Sequence, residues 1–188
     1  MDLKPCFVSS KADSLARRVV RPFTQALFRP TLEGLEHLPA EGSYLLVANH
    51  STGIAIAELT SFAGLWRTRV KRPLSGFAHH MGFRIEPLKS IHKHIGTVPS
   101  TYEGADAAIE AGVPLLVFPG GDYESLRPIW QAHQVNFNGR QGYLRIAQKH
   151  GLSIVPMGIR GSHLSAPILW RSKLLANLLV TPRMIGTK

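Results

Sequence analysis

Three short apolar runs, separated by stretches of helical pattern, restrict what this chain can fold into more than any other feature of it. "SYLLVAN" (43–49), "VPLLVFPGG" (113–121) and "LSIVPMGI" (152–159) are continuous rather than alternating, the pattern of strands covered on both faces. Between them lie "IAIAELTSFAGLW" (54–66), "ADAAIEAG" (105–112) and "GRQGYLRIAQKHG" (139–151), which read as helices, the last two stopped by Gly112 and Gly151. Strands alternating with helices predict an α/β fold with a largely parallel central sheet flanked by helices. With 188 residues, 44% of them hydrophobic, the chain can close one sizeable core, so a single domain is expected.

Residues 10–29 place Leu15, Val19, Val20, Phe23, Leu27 and Phe28 at helical spacing, with Arg17, Arg18, Arg21 and Arg29 between them. This predicts a basic amphipathic helix, kinked or split at Pro22. Such a helix suits a membrane surface, and it suits equally a domain face with its arginines in water. The expected organisation is an N-terminal amphipathic segment (1–30), an α/β domain (31–165) and a C-terminal apolar and basic segment (166–188). In the last segment, Arg171 and Lys173 interrupt "APILWRSKLLANLLV", so no spanning helix is expected. Residues 163–180 read as an interfacial helix or as a cover for the sheet. No apolar signal core precedes the domain, which predicts a chain starting near Met1.

Twenty-two Lys and Arg against 12 Asp and Glu give a formal charge of +10, which favours anionic partners. Nucleic acid is not expected, because the basic residues are spread rather than interleaved with aromatics on one face. The lone Cys6 excludes an intramolecular disulfide and fits a reducing compartment. No metal is expected either. His79 and His80 are adjacent and point apart on any regular element, His92 and His94 share a face only on a strand, and HExxH is absent.

Ligand sites in parallel sheets form at the carboxyl ends of the strands, where two stretches end. The first is Asn49-His50-Ser51, with Glu58 eight residues after the histidine as the next acid. If the segment bends back, for which Gly53 is suited, the carboxylate can fix the ring's tautomer and strengthen its other nitrogen as a base. The same residues also read as a polar strand end followed by an exposed acid. The second stretch is "VFPGGDYESLRP" (117–128). Its Pro119-Gly120-Gly121 turn can bring backbone N–H groups close to a phosphate or an oxyanion, Asp122 and Glu124 can orient a hydroxyl, and Arg127 can pair with phosphate. Nucleotide-binding and serine-hydrolase motifs are absent.

Taken in order, "VANHS" (47–51), "IGTVPSTYEGADAAIEAG" (95–112), "LLVFPGGDYESLRP" (115–128) and "GYLRIAQKHGLSIVPMGIRG" (142–161) resemble the phospholipid/glycerol acyltransferase superfamily, the lysophospholipid acyltransferases. More narrowly, they resemble the branch with FPGG where FPEG is commoner. The resemblance covers roughly residues 31–165. It implies transfer of an acyl group from acyl-CoA, or an acyl carrier protein, to a hydroxyl of a glycerolipid or lysophospholipid, with no further cofactor. The enzyme would work as a peripheral protein on the cytoplasmic face of an anionic membrane.

The resemblance makes His50 the general base, with Glu58 as its acid. Asn49, Ser51, Phe118, Pro119, Gly120, Gly121, Glu124 and Arg127 become the substrate-binding set. Ile154, Val155 and Pro156 fall in the last, supporting block. The sequence departs from the family at the position five after the histidine, where the usual acid is replaced by Ala55. The acceptor block carries Thr97, Ser100 and Thr101 but lacks its usual arginine. A catalytically idle relative that binds lipid is the alternative that Ala55 keeps open. The chain also stops early for this family, as a truncated sequence would.

Overall fold

A computed structural model describes residues 21–51, 57–78, 96–165 and 167–170, together with 18, 83, 86 and 92. The second half of the expected N-terminal helix is α1 (Arg21–Phe28), which begins one residue before Pro22, in the first turn where a missing N–H costs nothing. Then follow β1 (Leu45–Ala48), α2 (Ala57–Arg69), β2 (Ser75–Ala78), β3 (Thr97–Pro99), α3 (Tyr102–Glu110), β4 (Leu115–Val117), α4 (Gly121–Ser125), α5 (Gly142–His150) and β5 (Ile154–Met157).

The five strands form one sheet in the order β3-β2-β4-β1-β5, and every pairing is parallel. β1 lies between β4 and β5, with Leu45 opposite both Leu115 and Ile154. All four of its residues are buried, because each face of the sheet carries its own apolar cluster. Leu45 and Val47 join Leu115, Val117, Val98, Ala105, Ala108, Ile146 and Ala147 on the side of α3 and α5. Tyr44, Leu46 and Ala48 turn the other way, onto Trp66 of α2, with Phe62 packed against them. Burial of a leucine such as Leu45 or Leu115 stabilises the fold by about 1.5–3 kcal/mol, so these runs fix the register.

Two of the three runs are interior strands, and the third departs from expectation. Among the described residues β5 pairs only with β1, and Ile154 and Pro156 are exposed. An edge position explains why a proline is tolerated there, since an outward-facing N–H is not needed for the ladder. Strands β2 and β3 were not anticipated at all. "SGFA" and "TVP" are short and carry small or polar residues, so they have neither a continuous apolar run nor a period.

α3 starts three residues earlier than the small-residue pattern suggested, where the Thr101 hydroxyl accepts the Gly104 N–H at 3.1 Å. It also packs tightly on β3, because a Cβ at Gly104 would lie 2.2 Å from the Pro99 carbonyl oxygen. α5 closes on Gly151 in the left-handed region, φ 61°, as expected. His79, His80, His94, Gly53, Ala55 and residues 171–180 lie outside the described residues. Among the described ones no helix is long and apolar enough to cross a membrane, and no three His, Cys, Asp or Glu side chains cluster as a metal site. His92 instead bonds Thr97 Oγ1 through Nδ1 at 3.0 Å and stacks on Phe83.

Candidate active site

β1 and β4 are neighbours in the sheet, so their carboxyl ends bring Asn49-His50-Ser51 beside Phe118-Pro119-Gly120. Two separated stretches of sequence thereby become one rim. Asn49 anchors that rim. Its Oδ1 accepts the Ile159 N–H at 2.7 Å, and its Nδ2 donates to Ile159 O at 2.9 Å and to Ser51 Oγ at 3.2 Å. The end of β1 is thus tied to the chain leaving β5.

Glu58 sits in the first turn of α2, and its carboxylate is turned back on the strand end. Oε1 lies 2.7 Å from His50 Nδ1, and Oε2 accepts the Ser51 N–H at 3.1 Å. Its side chain is 1% exposed against 16% for His50. A carboxylate accepts only, so the contact suits a ring that donates through Nδ1. The geometry excludes the reading of Glu58 as a solvent-exposed acid. The Phe118 ring lies 4.6 Å from the imidazole, tilted by 32°, and limits its rotation from the side of the corner.

The glycine corner opens α4. Gly121 has φ +48°, a conformation that disfavours side chains. Gly120 has an ordinary helical conformation, φ −67°, yet a Cβ there would lie 2.4 Å from Glu124 Cβ and 2.5 Å from Glu124 Oε2. One glycine is required by the backbone and the other by a neighbour. The corner's N–H groups are mostly spent. Gly121 N–H donates to Phe118 O at 3.0 Å, Glu124 N–H to Gly120 O at 3.1 Å and Tyr123 N–H to Asp122 Oδ1 at 2.9 Å.

Asp122 does not stand alone. It pairs with Arg140 Nη2 at 2.9 Å, and the other terminal nitrogen of Arg140 donates to Gly120 O at 3.0 Å. This strap over the corner was not foreseen, because a single arginine ahead of α5 leaves no pattern.

Glu124 and Arg127 lie under the rim, with side chains 0% and 6% exposed and 3.4 Å apart. Glu124 Oε2 accepts the His50 N–H at 2.9 Å and Oε1 the Asn136 N–H at 3.2 Å. Arg127 Nη1 donates to His50 O at 2.7 Å and to Glu124 O at 3.2 Å, and Nη2 to Ser51 Oγ at 2.9 Å and to Ala132 O at 3.2 Å. Burial pushes the Glu124 carboxyl above its ordinary value of 4.5, against the opposing pull of the His50 and Asn136 N–H groups and of Arg127. Removing one member of so buried a pair costs about 3–5 kcal/mol, because it leaves an uncompensated charge.

An imidazole, a buried carboxylate in contact with it and a glycine corner beside it thus gather on the carboxyl rim of a parallel sheet, the place where ligand sites form in such folds. The family model described as Acyltransferase matches residues 29–160, most of the chain, and the chain belongs to that family. The superfamily that the four blocks resemble is therefore the right one, while the FPGG branch rests on residues 118–121 alone.

An uncharacterized protein of Mycobacterium leprae (strain TN) is 30% identical over 172 residues, which is 90% of this chain and 47% of that protein. Phytyl ester synthase 2, chloroplastic, of Arabidopsis thaliana is 29% identical over 157 residues, 77% of this chain and 22% of that one. Among solved structures, the 1-acyl-sn-glycerophosphate (LPA) acyltransferase PlsC of Thermotoga maritima has the same fold, with a TM-score of 0.54 at 22% identity over 84% of this chain and 62% of that one. The chain spans about half the length of the mycobacterial relatives it matches.

Proposed function

We propose that the protein is an O-acyltransferase that moves an acyl group from acyl-CoA, or an acyl carrier protein, to a hydroxyl of a glycerolipid or lysophospholipid at a membrane surface. His50 Nε2 takes the hydroxyl proton as the oxygen attacks the thioester carbonyl. Collapse of the tetrahedral intermediate expels the thiolate, which recovers that proton from the imidazolium. Glu58 keeps the proton of the resting ring on Nδ1 and stabilises the ring when it is charged. The observation that carries this reading is the 2.7 Å contact between Nδ1 and a carboxylate buried behind the ring.

Glu58 then replaces the family's acid, whose usual position is Ala55, from three residues further along. Being one methylene longer than aspartate, it reaches the ring from the first turn of α2. A net charge of +10 favours the phosphates of the donor and an anionic leaflet. Phe23 and Leu27 are exposed on α1, in keeping with a helix lying on lipid. The cytoplasmic face of a membrane, with the protein bound peripherally, is the proposed location.

The test follows CoA release from acyl-CoA over a panel of glycerol 3-phosphate, lysophospholipids, diacylglycerol and a long-chain alcohol. The alcohol is included because of the phytyl ester synthase relative. Wild type should turn over at least one acceptor, and His50→Ala should fall by about a hundredfold or more, as expected for loss of a general base. Equal rates would remove His50 from the mechanism. Failure with every acceptor would favour a lipid-binding relative without activity.

A further inference from the structure

The peptide of His50 is gripped on both sides by residues that lie 74 and 77 positions further along the chain. Glu124 takes its N–H and Arg127 supplies a donor to its C=O, while Glu58 holds the ring. Ser51 is caught in the same grip, through its hydroxyl by Arg127 and through its N–H by Glu58. The Glu124 side chain fills the space over Gly120, which is why position 120 has no room for a Cβ. A side chain so enclosed, with both its oxygens occupied by main-chain N–H groups, is aimed at the protein and away from an incoming acceptor.

We infer that Glu124 and Arg127 are positioning residues for the His50 base and are not groups that bind the acceptor's headgroup. The inference rests on the proposed acyl transfer. A ring held by Glu58 alone can still tilt about its own main chain, and the two buried side chains remove that freedom. The glycine at position 120 is then part of the same device, since it gives the carboxylate its path to the His50 N–H. A misplacement of about 1 Å at a reacting group is enough to cost on the order of a hundredfold in rate.

Glu124→Gln keeps the shape but places an amide donor where one oxygen accepted a main-chain N–H. Arg127→Lys keeps a cation beside Glu124 but cannot serve His50 O, Ser51 Oγ and Ala132 O together. For both variants kcat should fall about tenfold or more while KM for the acceptor stays within about twofold. A tenfold rise in acceptor KM with kcat preserved would make them acceptor-binding residues and overturn the inference, as would no change in either constant. If circular dichroism shows Glu124→Gln to be unfolded, Arg127→Lys decides.

A second readout does not need turnover, and so separates failure of this inference from failure of the acyltransferase reading. In the ¹⁵N-labelled protein, the His50 ring signal, assigned by its loss in His50→Gln, should show one tautomer with the proton on Nδ1. In both variants it should broaden or shift toward a mixture. Unchanged ring signals would overturn the inference whatever the kinetics of the wild type.

Discussion

Two histidines in this protein each lie against a carboxylate at nearly the same distance, in different surroundings. His50 Nδ1 is 2.7 Å from Glu58, and His150 Nε2 is 2.6 Å from Asp106. The side-chain exposures of the two rings are close, 16% and 18%, whereas those of the acids are 1% and 28%. Asp106 is shared with Lys149 Nζ at 2.8 Å, so its charge is already answered by an ammonium. Glu58 gives its second oxygen to the Ser51 N–H. The first pair sits at the carboxyl rim of the sheet, and the second staples α3 to the last turn of α5, just before the chain enters β5 at that strand's amino end. The contrast teaches that contact between an imidazole and a carboxylate does not by itself distinguish a candidate base from a surface staple. The two acids differ in burial and in their second partner, a main-chain N–H for Glu58 and an ammonium for Asp106, and only the first pair lies at the rim where ligand sites form in parallel sheets.

The comparison is sharpened most by swapping each acid for its amide. Glu58→Gln should slow kcat by roughly ten- to a hundredfold, because the amide has one acceptor oxygen for the Nδ1–H and the Ser51 N–H together and carries no charge to stabilise a charged ring. Its circular dichroism should match wild type. Unchanged turnover would put His50 and His150 in the same class and break the distinction.

Asp106→Asn should leave kcat at the wild-type value and lower stability by about 1 kcal/mol or less, as for a largely solvated ion pair, read from urea unfolding. A loss of turnover there would show that the staple reaches the site.

The smallest effect is the pH dependence of that loss. Lys149 above all, with His150 beside it, holds the Asp106 carboxyl below its ordinary 3.8. The folded acid is therefore the stronger one, so its contribution is fully present above that value and disappears as pH falls through the depressed one. The stability difference between wild type and Asp106→Asn should be flat from about pH 5 to 7 and shrink below about pH 3.8. Glu124 has the opposite sign. Burial raises it above 4.5, so its ionisation costs stability as pH rises through the window above that value. Measured across about pH 3–6, the differences in unfolding free energy between wild type and Asp106→Asn and between wild type and Glu124→Gln should change with pH in opposite directions.

Much of the fold was legible because it rests on local pattern. Leu45–Ala48 and Leu115–Val117 are interior strands, and burial on both faces leaves a continuous apolar run that cannot be mistaken for a loop. Gly151 stops α5 for a purely local reason, its left-handed backbone. His50 and the glycine corner could be placed on one rim because strand ends in a parallel sheet gather there. The contacts of Arg140, Asn136 and Ile159 could not be anticipated: Arg140 and Ile159 fall just outside the ends of the helix and strand expected to hold them, and Asn136 lies in a loop with no periodicity.

By itself the sequence determined the α/β class, the interior strands, the order of the blocks and the identity of the candidate base, since each follows from local composition or from residues adjacent in the chain. Only the tertiary structure decided that β5 is an edge, that "SGFA" and "TVP" are strands, and that Glu124 and Arg127 close on the peptide of His50. Those outcomes depend on which distant segments become neighbours, Leu45 with Ile154, Gly76 with Thr97, and His50 with residues 74 and 77 positions further along. Contacts at that separation are bought by burial of the whole core and leave no local trace in the residues that make them.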